Sequence, residues 1–211
     1  APADIKLNIH VLFSDTDVSR QELTDFKNNL KLYGTNRSIS EEAFVEIARS
    51  LTRGEAEKYG CKGNYINDNT KLYGLGLSVA KVTRDSFVNA IKPFRKDQYI
   101  IIQPWDTYCG LKEIKWEKHP VEMNYFLQLA DYFEARNQNE ISILRGEKNE
   151  DNEMFIEQFM EAMRSNGKPV ISGSDAHKIA DYGSFPNGKS TWIKANNTFR
   201  GLLQAKCDHK E

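Results

Sequence analysis

The sequence predicts an α/β domain with a mostly parallel sheet, and two observations carry this prediction. Short apolar runs alternate along the chain with longer stretches that have helical periodicity. The apolar runs end in small or polar residues, as buried strands do where they leave a sheet. Repeated strand–helix alternation is typical of a parallel sheet, either open or closed into a barrel.

The expected elements follow in chain order. Residues 5–13 alternate apolar and polar side chains and predict a strand that carries His10 on its less apolar face. Ser19-x-x-Glu22 and Ser38-x-x-Glu41 are capping boxes that begin two helices. Residues 54–82 are rich in Gly, Asn and Lys, and we expect a long loop or insertion there, with at most a short helix or hairpin.

The second half of the chain repeats the alternation. We expect strands at 98–104, 130–135, 168–172 and 190–195, and helices at 83–94, from Pro120 to 129, at 151–165 and at 197–203. Residues 140–150 are polar and give no clear prediction. The whole chain, residues 1–211, is interpreted as one domain.

Composition limits the classes of function. The 211 residues include 39% hydrophobic and 28% charged side chains, and the formal net charge is −1. This balance gives no overall attraction to nucleic acid or to a membrane surface. No apolar run approaches the ~20 residues that span a bilayer. The three widely spaced cysteines form no CxxC motif, so we expect a reducing, cytoplasmic location and no disulfide framework.

Candidate site residues follow the predicted strands. Asp175 and His177 come after the run at 168–172, and in an extended chain their side chains point the same way. Asp106 and Glu134 follow two other runs. Because the carboxyl ends of parallel strands share an edge, these groups are expected to meet there, with His10 as a further candidate. A mixed Asp and His set favours Zn, Mn or Fe over Ca or Mg.

Each candidate also has a structural interpretation. His10 can be a hydrogen-bonded histidine of the core, and Asp175 and His177 can be solvated groups at a strand end. Glu134 can pair with Arg136, and Asp106 can cap the turn at 107–110. The catalytic assignment gives Asp106 and Asp175 roles beside a metal-activated water, which is the chemistry of metal-dependent hydrolases.

The segments that follow resemble a known family. Gly173-Ser174-Asp175-Ala176-His177 and Thr191-Trp192-Ile193-Lys194 are similar to the end of a PHP (polymerase and histidinol phosphatase) domain. Pro104-Trp105-Asp106-Thr107-Tyr108, Trp116-x-x-His119-Pro120 and Glu134-x-Arg136-x-Gln138 resemble PHP domains that precede an AAA- or SMC-like ATPase in bacterial proteins of the TrlF type.

The resemblance implies a distorted (β/α)7 barrel with divalent metals at the strand ends, and phosphoester hydrolysis on a phosphate-ester substrate or nucleic acid. It implies metal binding by Asp175 and His177, with His10, Asp106 and Glu134 as looser matches. The His-x-His strand with which PHP domains begin is not in this chain, so we expect either a fragment that lacks its N-terminal ligands or a barrel that is incomplete by design. The alternative is a non-catalytic module that binds or regulates an attached ATPase domain or nucleic acid.

Overall fold

The computed structural model describes residues 6–173, 176, 178–184 and 190–208. The chain divides into two compact units. The helical unit is Val18–Arg95, and the sheet unit combines Pro2–Asp17 with Lys96–Glu211. The expected insertion at 54–82 lies within the helical unit.

Five α-helices form the described part of the helical unit: α1 (Arg20–Asn29), α2 (Glu41–Ser50), α3 (Arg53–Lys58), α4 (Asn69–Val79) and α5 (Arg84–Ile91). The capping box predicted at Ser19 and Glu22 begins α1: the Ser19 side chain accepts from the Glu22 N–H and the Glu22 carboxylate accepts from the Ser19 N–H. These bonds lower the pKa of Glu22. Ser40 caps α2 through its own hydroxyl, so the cap predicted at Ser38 lies two residues away.

The expectation of a long loop at 54–82 is wrong, because α3 and α4 fill much of that range. Asp68 caps α4 by accepting the N–H groups of Thr70 and Lys71. Gly76, which suggested a loop, lies in α4 where a Cβ atom would be 2.1 Å from the Phe44 carbonyl oxygen of α2. The glycine therefore allows two helices to approach closely and does not interrupt one.

The sheet unit has four strands in the described residues: β1 (His10–Phe13), β2 (Tyr99–Pro104), β3 (Tyr132–Glu134) and β4 (Val170–Ile171). Their order in the sheet is β1-β2-β3-β4, with β1 antiparallel to β2 and the other pairs parallel. The predicted α/β class with a mostly parallel sheet is confirmed. The described strands form an open sheet.

Four helices complete the described sheet unit: α6 (Pro120–Leu129), α7 (Gln138–Arg145), α8 (Ile156–Met163) and α9 (Phe199–Cys207). Pro120 occupies the first turn of α6, as predicted. The core contains Trp105, whose ring packs edge-on against Phe133 and Phe159, with centroids 6.0 and 5.7 Å away. The packing of the Trp105 ring in the core therefore holds the start of the loop after β2 in place.

Three further boundaries differ from the sequence prediction. Residues 6–9 precede β1 without joining the sheet as a strand. Within the range 140–150, which gave no clear prediction, residues 140–145 belong to α7. The expected strand at 190–195 is wrong. Its Thr191 side-chain oxygen accepts the Ser172 N–H at 2.8 Å, so a hydroxyl takes a contact that a backbone carbonyl would make in a strand pair.

No helix within the described residues combines the length and the apolar character that crossing a membrane requires.

Candidate functional site at the carboxyl edge of the sheet

The carboxyl ends of β2, β3 and β4 lie at one edge of the sheet, because these three strands are parallel. We call it the carboxyl edge. Strand β1 runs in the opposite direction, so its first residue, His10, is at the same end and pairs with Ile102 of β2. The sheet topology thus brings three of the five candidate residues, His10, Asp106 and Glu134, to the same edge.

Asp106 lies two residues beyond β2 and joins two strand ends. Its carboxylate oxygens accept the Arg136 N–H at 3.0 and 3.2 Å, and Oδ2 accepts the Asn137 N–H at 2.8 Å. The turn at 107–110 is closed by its own backbone bond from Gly110 N to Thr107 O. The Asp106 side chain therefore connects the loop after β2 to the loop after β3. Neither interpretation from the sequence, a metal ligand or a cap of the turn at 107–110, includes this contact.

Glu134 is the last residue of β3 and is partly buried. Its Oε1 lies 3.9 Å from a guanidinium nitrogen of Arg136. This is the ion pair that the sequence offers as the structural alternative to metal binding. The distance is at the long end of an ion pair, and a carboxylate in such a contact keeps lone pairs for other partners.

His10 is exposed at the start of β1, which is an outer strand of the four. An exposed imidazole at a strand end is accessible to a ligand. Its position is compatible with ligand binding and gives no support to the interpretation as a core histidine.

Asp175 and His177 lie outside the described residues. The strand that leads to them is β4, whose Ile171 pairs with Glu134 at the carboxyl edge. The predicted buried run before Asp175 is therefore a strand of the sheet, parallel to β3.

The described residues contain no group of three or more His, Cys, Asp or Glu side chains arranged to hold a metal ion. His10, Asp106 and Glu134 share an edge but do not form such a group.

No local sequence pattern predicts the polar network at Trp105, the residue before Asp106. The Trp105 indole N–H donates to Glu140 Oε2 at 2.6 Å, and the same carboxylate binds the Lys112 ammonium group. Glu140 lies in the first turn of α7, directly after the polar run Asn137-Gln138-Asn139. Its partners are 28 and 35 residues away, so no local pattern identifies it.

Gln103 is fully buried in β2 near the same edge. Its amide nitrogen donates to the Asn8 carbonyl at 2.9 Å, while its Oε1 has no hydrogen-bond partner among the described residues. Buried polar atoms without partners are rare in folded proteins. This one lies one residue before the strand ends.

The strongest pKa shifts of the sheet unit belong to the opposite edge. Burial raises the pKa of Tyr132, the first residue of β3, to about 12, and the Asp131 carboxylate adds to the effect. Burial lowers the pKa of Lys168, just before β4, to about 8. Both groups bond to backbone carbonyls of helices, so they serve the packing of the sheet unit.

No protein-family model, curated protein or solved structure matches this chain significantly.

Proposed function

We propose that the chain is a metal-dependent phosphoesterase that hydrolyses phosphomonoesters or phosphodiesters at the carboxyl edge of its sheet. The observation that supports this proposal is the shared edge: three parallel strands end there, and they lead to Asp106, to Glu134 and to the segment with Asp175 and His177. Groups that act together on one substrate are usually collected at this end of an α/β sheet.

Asp175 and His177 would hold the metal together with His10, which is exposed and accessible. A Mn, Zn or Fe ion supplies an activated water for attack on phosphorus. Asp106 is held rigidly by two backbone N–H groups, so its free lone pairs have a fixed direction toward a ligand or a proton. Glu134 would act similarly from β3, as a ligand or as an acceptor for the ligating imidazoles.

The proposal includes the finer parts of the PHP resemblance. These are the distorted barrel, a phosphate-ester or nucleic-acid substrate, an attached or partner ATPase domain and a cytoplasmic location. The cysteines support the last point, since Cys61, Cys109 and Cys207 are all free thiols.

A second candidate is a non-catalytic module that binds a partner ATPase domain or nucleic acid. Two observations favour it: both oxygens of Asp106 already accept backbone N–H groups, and Glu134 faces Arg136. If these contacts are the whole role of the two carboxylates, their function is to connect the ends of β2 and β3. They then have little capacity left to bind a metal.

The deciding experiment is metal analysis of the purified chain after exposure to Zn and Mn, followed by dialysis. The proposed function predicts stoichiometric metal in the wild type and its loss in Asp175→Ala/His177→Ala. The control Asp151→Ala removes an exposed carboxylate from the loop before α8 and should leave metal content unchanged.

Hydrolysis is then measured with p-nitrophenyl phosphate and bis-p-nitrophenyl phosphate in the presence of Mn. The proposal expects activity that disappears in Asp175→Ala/His177→Ala and persists in Asp151→Ala. A wild-type chain that retains no metal and hydrolyses neither ester contradicts it and favours the non-catalytic module.

A further inference from the structure

Lysine side chains surround a small cavity of the sheet unit. The cavity has a volume of about 240 Å³, and its lining includes Lys6, Lys115, Lys118, His119 and Glu113. We call it the basic cleft. Its three lysines and one glutamate contrast with the whole chain, whose formal net charge is −1.

The basic cleft is built by two segments that meet beyond the end of β2. The chain before β1 runs alongside the loop after β2, where Asn8 N donates to Cys109 O at 3.0 Å and Asn8 Nδ2 donates to Tyr108 O at 3.1 Å. This contact brings Lys6 to the cleft. On the other side, a backbone bond from Lys118 N to Lys115 O folds both lysines into one turn.

The described lining of the basic cleft has one carboxylate, that of Glu113, beside its three lysines. The Glu113 carboxylate accepts the Cys109 N–H at 2.9 Å, so one of its oxygens is hydrogen-bonded to the backbone of the loop after β2. Within the residues that the structure describes, no carboxylate comes within ion-pair distance of Lys115 or Lys118. Ammonium groups that line one cavity repel one another, and an anion bound there reduces that repulsion.

His119 adds a polar group to the same lining. It occupies the position before the first turn of α6, yet its side chain makes no capping hydrogen bond to that helix. The imidazole is therefore available to a ligand as a ring N–H donor.

We propose that the basic cleft binds the phosphate group of a small phosphorylated molecule. Lysine ammonium groups are common phosphate binders that act as point charges. The volume is below the roughly 300–1,000 Å³ of pockets that enclose a whole drug-sized ligand, so the cleft accepts a charged head group and leaves the remainder outside. The site shares no residue with the proposed metal ligands and does not depend on the proposed function.

The test is calorimetric titration of the chain with inorganic pyrophosphate in the presence of EDTA and of a fixed, near-physiological salt concentration. We expect saturable binding that weakens by about tenfold in Lys115→Gln and in Lys118→Gln, the loss expected for one charge-assisted contact. Lys115→Arg keeps the charge and should retain most of the affinity.

Lys148→Gln is the matched control, since Lys148 is an exposed lysine of the sheet unit that faces Glu157. It should bind pyrophosphate as the wild type does. Lys115 and Lys118 are exposed, so their variants should fold, and equal melting temperatures check this. Absence of saturable binding, or equal affinity in the wild type and both Gln variants, overturns the proposal. EDTA keeps the result independent of whether the carboxyl edge binds metal.

Discussion

Lys168 ends the loop before β4, and its ammonium group closes the C-terminal end of α6. Its Nζ donates to the carbonyl oxygens of Leu127, Gln128 and Ala130 at 2.7, 3.0 and 2.6 Å. The last carbonyl groups of a helix have no partner within it, so a lysine that reaches all three replaces a glycine-type cap. Leu127 and Ala130 are buried, which leaves water little access to their carbonyls.

We predict that Lys168→Met lowers the free energy of unfolding by about 3 kcal/mol. Methionine keeps most of the aliphatic stem but removes every donor. Two buried carbonyls then lose their partner at about 1–2 kcal/mol each, while Gln128, which is partly exposed, can bond to water. For a chain of this size the melting temperature should fall by roughly 6–12 °C. Chemical denaturation and calorimetry measure both quantities.

The same residue predicts a pH dependence. Burial lowers the pKa of Lys168 from 10.5 to about 8, Asp131 opposes this, and Lys206 and Lys96 add to it. Between these two values the unfolded chain binds more protons than the folded chain, so this group makes the folded state more stable as the pH rises. The stability difference between wild type and Lys168→Met should therefore grow from pH 8 to pH 10.5, by up to about 3 kcal/mol.

Lys148→Met is the control for both measurements. Its exposed contact with Glu157 at 3.6 Å should contribute less than about 1 kcal/mol. The reasoning is refuted if Lys168→Met is as stable as the wild type, or if the stability difference shrinks as the pH rises above 8.

Two more substitutions test contacts that the sequence did not predict. Gly76→Ala should destabilise the chain by about 1–3 kcal/mol, because the new Cβ would meet the Phe44 carbonyl oxygen. Gly74→Ala in the same helix has no heavy atom within 4 Å of its Cβ and should be neutral or stabilising by up to about 1 kcal/mol; equal losses in both would contradict the close approach of α4 and α2. Asp106→Asn keeps one acceptor oxygen for two backbone N–H groups, so it should lower the free energy of unfolding by about 1–2 kcal/mol in metal-free buffer. An unchanged midpoint of urea denaturation would show that these hydrogen bonds do not stabilise the fold.

The strands were predictable where burial decides them. The run at 98–104 is apolar on both faces and becomes β2, whose residues are buried except for Ile102. The run at 190–195 is less apolar, with Ser190, Thr191 and Lys194, and it has no strand partner in the described structure; its Trp192 is 94% exposed. Strand formation requires a neighbouring strand, which the local sequence does not specify.

Helix α4 shows a different reason for a failed prediction. Its two glycines and Asn69 have low intrinsic helix propensity, yet Leu72 and Leu75 are buried and Asp68 caps the first turn. Tertiary packing against α2 outweighs the propensity. Gly76 is necessary for that packing. The residue that disfavours a helix by its intrinsic propensity is therefore required for the contact between α4 and α2.

The candidate site divides in the same way. That Asp106 and Glu134 share an edge follows from the parallel direction of β2 and β3, which the alternation of strands and helices predicts. What the Asp106 carboxylate bonds to depends on backbone atoms 30 and 31 residues further along the chain. The edge at which a residue lies can be inferred from the pattern of strands and helices. The hydrogen bonds that its carboxylate accepts can be known only from the three-dimensional structure. The two proposed functions, a phosphoesterase and a non-catalytic module, place the same carboxylates at the same edge. They differ on whether these carboxylates only accept hydrogen bonds and ion pairs within the protein or also bind a metal.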